Sequence, residues 1–330
     1  MATIDIYDEE KIARLLFVQR AQGIDFSLDL DWSKSIDLNK SFLPLDHNAI
    51  LFPKATEEQR LVISQFIGLV VAATISELEE VAFRLKGPTW ENILRKFPVN
   101  PEIHEMGELF YEDEKKHSAG FKRYIDLFAG KVNVDPNDLK ELLPSSDKTL
   151  SSKIYHLNSM AGGMAIWWLI AAVEEESILI FDHMRKSRSE IDPLYYDLHK
   201  AHYEEEIRHK SYASIMLQIN SEFARVPHTI VLKKLDFILA EVLNITWTFN
   251  QLFKVKNFKK LSSAHHFFKV LSELEPFLRD RSSFSIIHHL FTTAPYIKNM
   301  LHLSEHQHIR HMLERFGAKK IPLHYLKGAS

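Results

Sequence analysis

The chain has 330 residues, no cysteine and a formal net charge of −3. Without cysteine there is no disulfide framework, thiolate zinc site, cysteine-ligated iron–sulfur cluster or cysteine nucleophile, and near-neutral charge leaves no basic footprint for nucleic acid. With only 10 glycines and 12 prolines, and 45% apolar residues, the chain reads as mostly helical with a real core.

Met1 to Glu10 is acidic and mixed, unlike the basic and then apolar start of a signal peptide. The first fifty or so residues read as irregular. A first long helix is expected from Thr56, where Thr56-Glu57-Glu58-Gln59 fits a capping box, to a stop at Gly87-Pro88. A second should open at Asn100-Pro101, cap and first-turn proline, and end near Gly130. A third is expected over Ser151 to Lys186, and a fourth from Asp192-Pro193 to about Ile219. The third helix holds the run read as the longest uncharged apolar one, Met160 to Val173, which is short of the roughly twenty residues that span a bilayer. About a hundred further residues, from 228 to 330, carry helical pattern without strand alternation. The expectation is one all-α domain over 1–330, core helices at about 56–219, soluble and cytoplasmic, with no membrane or nucleic-acid partner.

A motif that occurs twice carries the chemistry. Glu114-Lys115-Lys116-His117 and Glu206-Ile207-Arg208-His209 are both Glu-x-x-His. On a helix a spacing of three sets the two side chains about 60° apart, so both point the same way. Each motif follows a helix with mid-helix glutamates: Glu77, Glu79 and Glu80 in the first, Glu174, Glu175 and Glu176 in the third. That alternation is the ligand arrangement of ferritin-like di-iron and di-manganese carboxylate bundles.

The third helix makes the physical case. Gly162 to Val173 is apolar, Glu174-Glu175-Glu176 follows, and Ile178 to Phe181 is apolar again. A helix apolar all round is buried, so at least one of these carboxylates is buried too. A buried carboxylate costs several kcal/mol unless paired or bound to metal. The competing explanation is a buried ion pair with Arg185 or Arg208. His202, one turn before Glu206, extends the fourth-helix run to His-x-x-x-Glu-x-x-His, and His199 is a candidate to support the ligands from behind.

Taken with the glutamates 27 residues before His202 and 35 before Glu114, these runs resemble the arylamine N-oxygenase family, typified by p-aminobenzoate N-oxygenase. The resemblance covers about Thr56 to Ile219. It implies a ferritin-like four-helix bundle with additional N- and C-terminal helices. It also implies a non-haem centre of two iron ions, manganese being the other candidate, that activates O2 to oxidise a small organic substrate such as an arylamine. The ligands it implies are Glu79, Glu114, His117, Glu175, His202, Glu206 and His209. Choosing Glu79 and Glu175 over their neighbours rests on the family spacings, since periodicity leaves the adjacent glutamates open.

Asp182, two turns beyond Glu175, is expected to hold a ligand imidazole, and Phe110, Phe121, Ala171 and Ala172 to line an apolar pocket. Lys115, Lys116, Arg208 and Arg84 lie off the ligand faces, and Lys210 only flanks one. The expected substrate is therefore neutral or apolar, unlike an aminobenzoate. An external electron donor and a homodimer complete the expected partners. A desaturase or other oxidase would look alike in sequence. Against a ribonucleotide reductase small subunit, Phe121 stands where that family has its radical tyrosine; against iron storage, the chain is about twice the length required. A second cluster, His302, Glu305, His306, His308 and His311, offers one carboxylate on one helix, a poor catalytic site.

Overall fold

The computed structural model describes residues 9–44, 55–95, 99–145, 148–160, 162–223 and 258–274. Seven helices of eight residues or more occur among them: α1 (Glu9–Ala21), α2 (Glu57–Arg84), α3 (Pro101–Lys131), α4 (Lys148–Met160), α5 (Met164–Lys186), α6 (Pro193–Phe223) and α7 (His266–Glu273). No strand occurs among the described residues, and the protein is mostly helical. Most of the expected C-terminal extension, including the cluster from His302 to His311, lies outside them.

The local signals at the helix ends operate as chemistry dictates. Thr56 Oγ1 accepts the Gln59 N–H at 3.2 Å while Gln59 Oε1 accepts the Thr56 N–H at 3.0 Å, a reciprocal capping box. Asn100 Oδ1 accepts the Glu102 N–H at 2.9 Å at the start of α3. Asp192 Oδ1 does the same for Tyr195 at the start of α6, at 2.8 Å.

Three expectations need correction. The N-terminal segment contains α1, whose Ile12, Leu16 and Gln19 are buried at helical spacing. Phe17, 70% exposed, and the half-buried Leu15 blur that face in the sequence. The helical path does not stop at Gly87-Pro88 but widens there into a π-turn, Gly87–Glu91. The wider ring tolerates a proline that lacks an N–H. The third expected helix is two, α4 and α5, because Gly162 and Gly163 take φ of 64° and 91°. Only glycine takes these angles without strain. Asn158 spans the break, its Oδ1 accepting the Ile166 N–H at 3.0 Å.

Helices α2 and α3 pack as one hairpin and α5 and α6 as another, with α3 against α6 between them; α1 crosses α3 and α6, and α7 sits on α2. The buried apolar residues form two clusters. One takes α2 from Val62 to Ile75, α3 from Phe121 onward and the first turns of α6. The other takes Val81 and Ala82 of α2, α3 from Ile103 to Tyr111, Met164 to Ala171 of α5 and α6 from Tyr212 onward. Between them, at mid-height on each long helix, lies a buried polar layer. Helix α2 is long and apolar enough to cross a membrane, and 67% of its apolar window is buried in this fold. Its uncharged stretch Leu61–Ser76 is longer than Met160–Val173.

Candidate metal centre

The polar layer brings together Glu79 from α2, Glu114 and His117 from α3, and His202, Glu206 and His209 from α6, none more than 5% exposed. They form two overlapping groups, each with ligand atoms within 4.8 Å of one another: Glu79, His117, His202 and Glu206, and Glu114, His117, Glu206 and His209. His117 and Glu206 belong to both. Of the α2 glutamates, Glu79 faces inward, whereas Glu80 pairs with Lys122 at the surface. On α5, Glu174 is buried beside the same space. The side chains of Glu175 and Glu176 lie outside the described residues.

Inside the cluster the groups face a common space more than they face one another. His202 Nε2 stands 2.7 Å from Glu206 Oε1 and 3.0 Å from Glu79 Oε1. His117 Nδ1 lies 3.2 Å from Glu206 Oε1, and His209 Nδ1 lies 3.0 Å from Glu114 Oε1. Yet Glu79 Oε2, Glu114 Oε1, both Glu206 oxygens and the Nδ1 atoms of His117 and His209 have no hydrogen-bond partner of acceptable geometry. Buried polar atoms are normally satisfied, and leaving one unpaired costs about 1–3 kcal/mol. Six such atoms around one space fit a cation: this carboxylate and imidazole set could hold a metal ion.

Two of the three imidazoles, His117 and His209, are each held from behind by an acid that the sequence did not disclose. His117 Nε2 donates to Glu205 Oε2 at 2.7 Å. The other Glu205 oxygen accepts the Ile24 N–H at 2.8 Å and the Arg208 guanidinium at 3.2 Å. His209 Nε2 donates to Asp113 Oδ2 at 3.4 Å, and Lys116 donates to Asp113 Oδ1 at 2.9 Å. A carboxylate only accepts, so both Nε2 atoms carry a proton and both Nδ1 atoms are turned to the centre. Asp182, expected in this role, instead pairs with Arg185 at 2.9 Å. The five-residue unit acid-Glu-x-base-His thus occurs twice, Asp113 to His117 and Glu205 to His209, each acid serving the other helix's histidine. Arg185 pairs with Asp182 and Arg208 with Glu205, the pairs in which the described residues place these two guanidinium groups.

His199 does not hold an imidazole either. It is packed between Phe121 and Tyr195, its Nε2 without a partner, and burial pushes its pKa down to about 3.

Proton affinities follow from burial and from neighbours. Burial pushes Glu79 well above the usual carboxylate range and Glu114 upward, with His117 and His209 countering in part. Burial also acts to raise Glu206, but His209 and His117 outweigh it and hold the carboxyl below its usual range. For His117 and His209 burial opposes the charge, and the surrounding carboxylates outweigh it, so both are raised. Burial, and then the raised His117 and His209 nearby, push His202 well down. Asp113 is held low because His209 and Lys116 overcome its burial.

A cavity of about 30 Å³ adjoins the cluster between α2 and α5, reaching Glu79, Glu114 and His202. Of the expected pocket walls, Phe110 and Phe121 are elsewhere, their rings packed on His209 and His202. Ala171 sits in the core cluster, and the side chain of Ala172 lies outside the described residues. Lys115 covers the Phe83 ring, and among the described residues no lysine or arginine lines the cavity. A comparison with family models and with curated proteins returns no match for this chain.

Proposed function

We propose that this protein is a non-haem dimetal oxygenase of ferritin-like architecture, resembling the arylamine N-oxygenases. Its two metal ions, iron before manganese, would activate O2 to oxidise a small neutral organic substrate. The observation that carries this reading is the pair of overlapping buried ligand groups that share His117 and Glu206. One ion would be held by Glu79, His202 and Glu206, its neighbour by Glu114, Glu206 and His209, and His117, with a single Nδ1 facing the centre, would serve one of the two. Glu175 would add a further carboxylate from α5. The ions would supply the reduction of O2, with electrons from an external donor.

The chain's own residues do the rest. Glu205 and Asp113 fix the two Nδ1 lone pairs toward the ions. Glu206, held ionised by the flanking imidazoles, offers an oxygen to each position. Three described carboxylates offset most of the charge of two divalent ions, which lowers the cost of burying either set alone. The apolar clusters above and below exclude water, and a cavity that no described lysine or arginine lines favours an uncharged substrate. Phe121, buried against His202, argues against a tyrosyl-radical protein of the ribonucleotide reductase type.

Elemental analysis of purified protein is the first test, with two iron or manganese ions per chain expected. Reduced, iron-loaded protein should then consume O2 over many turnovers with an uncharged arylamine, in preference to p-aminobenzoate. A metal-free protein that takes up neither ion overturns the reading. A preference for p-aminobenzoate overturns the neutral-substrate part alone.

A further inference from the structure

The cavity beside the cluster carries an inference about how the centre is reached, resting on the oxygenase reading. It lies between α2 and α5, and its walls are Leu78, Val81 and Ala82 from α2 and Ile166, Leu169, Ile170 and Val173 from α5, with the buried Glu174 of α5 beside them. Ala82, Ile166 and Ile170 are buried, whereas Leu78, Leu169 and Val173 are half-buried and form its outer side. Its inner end is Glu79, Glu114 and His202, three members of the candidate metal groups.

Size decides what this slot takes. An aromatic ring the size of benzene occupies a cavity of about 150 Å³, and one water needs about 10–15 Å³. The slot, about 30 Å³, is closed to a ring and open to a guest of two or three heavy atoms. Outside the three carboxylates and the imidazole the lining is hydrocarbon, so water gains little along that stretch while an apolar diatomic loses nothing by leaving solvent. We propose that the α2/α5 slot is the dioxygen passage of this protein. Ala82 sets its width and Leu169 its mouth, and the organic substrate arrives by another face.

Xenon, an apolar probe that needs neither metal nor turnover, tests the slot directly. Crystals of the full-length metal-free protein pressurised with xenon should show it between Ala82, Ile170 and His202. Ala82→Leu should abolish that density while metal content stays at the wild-type level. In the iron-loaded protein, Ala82→Leu should raise the O2 concentration needed for half-maximal consumption several-fold, with the half-saturating substrate concentration unchanged. Leu169→Trp, at the half-buried mouth, should do the same and serves where Ala82→Leu fails to fold. Absence of xenon from the slot overturns the proposal, as does an unchanged O2 dependence in a folded plug variant. So does a rise in the substrate requirement instead, which makes the slot the substrate's path. Wild-type protein that binds iron but never consumes O2 fails the oxygenase reading, and with it this proposal. A xenon site would then remain as an apolar cavity only.

Discussion

The two halves of the centre are nearly the same in sequence and unequal in how they are held. On α3 the unit is Asp113-Glu114-Lys115-Lys116-His117; on α6 it is Glu205-Glu206-Ile207-Arg208-His209. Glu205 is fully buried, 2.7 Å from His117, and clamped by Arg208 and the Ile24 N–H. Asp113 is 3.4 Å from His209 and is held by Lys116, whose side chain is 39% exposed, and by Gln19 at 3.4 Å. The shorter aspartate reaches less far, and its lysine partner is half in water. One imidazole is therefore rigidly aimed and the other more loosely held. The α6 half alone adds a third imidazole, His202.

The largest expected effect removes what the halves share. Glu206→Ala should abolish binding at both positions, because its oxygens serve both groups. Glu114→Ala or His209→Ala should each lose at least one metal per chain. Elemental analysis of the three variants decides it, and full occupancy in the single-sided pair would dissolve the two-position reading.

The inequality of the halves is sharpened next. Glu205→Ala strips His117 of its orienting acceptor and leaves the buried Arg208 uncompensated. The expected cost is about 10–100-fold in metal affinity and about 3–5 kcal/mol in stability. Asp113→Ala should cost less on both counts, since the lysine it leaves is half-exposed. Metal titration and urea unfolding of the two variants give the ranking directly. Equal losses would mean the 2.7 and 3.4 Å contacts are energetically the same.

Breaking the asymmetry in ligand number should have a milder consequence. His202→Ala should leave much of the metal bound, by Glu79, His117 and Glu206, while shifting the absorption spectrum of the loaded centre. A spectrum unchanged from wild type would place His202 outside the coordination sphere.

What the sequence disclosed about this site was set by helical phase. Glu-x-x-His and His-x-x-x-Glu-x-x-His put their members on one helix face, so residues from α3 and α6 were legible before any packing was known. The supporting acids were present in the same motifs, one residue before each ligand glutamate. A single residue back is about 100° round the helix, which turns the acid away from its own ligands and toward the neighbouring helix. Recognising it required knowing that α3 and α6 are adjacent. Ile24 and Gln19 were illegible for a stronger reason: they come from a segment whose place is fixed only by tertiary packing. The Gly162-Gly163 break was written in the sequence, since each glycine inside a helix costs about 1 kcal/mol, but apolar continuity masked it. Asp182 had the right phase along α5 and pairs with Arg185 instead.

The last comparison sets His199 against the two raised histidines, and its effect at neutral pH is the smallest. His117 and His209 have neighbouring carboxylates, so their folded-state pKa values are raised. The stability they contribute is present below about pH 6.5 and is lost as pH rises through those values. His199 has burial and no acid, and its pKa falls to about 3. The sign reverses: the unfolded chain takes up this proton more readily than the folded one. Stability is complete above about pH 6.5 and erodes as pH falls from there toward about 3. His199→Phe keeps an aromatic ring between Phe121 and Tyr195 and removes the titrating nitrogen. In metal-free protein at pH 7.5 it should change the unfolding free energy by less than about 1.5 kcal/mol. At pH 4.5 it should exceed wild type by about 2–3 kcal/mol relative to that baseline, following the linkage of about 1.4 kcal/mol per pH unit. Urea unfolding at the two pH values measures both. Parallel profiles for variant and wild type would mean that His199 takes up its proton as readily in the folded as in the unfolded chain, and that the acid sensitivity belongs to His202, the other histidine pushed down.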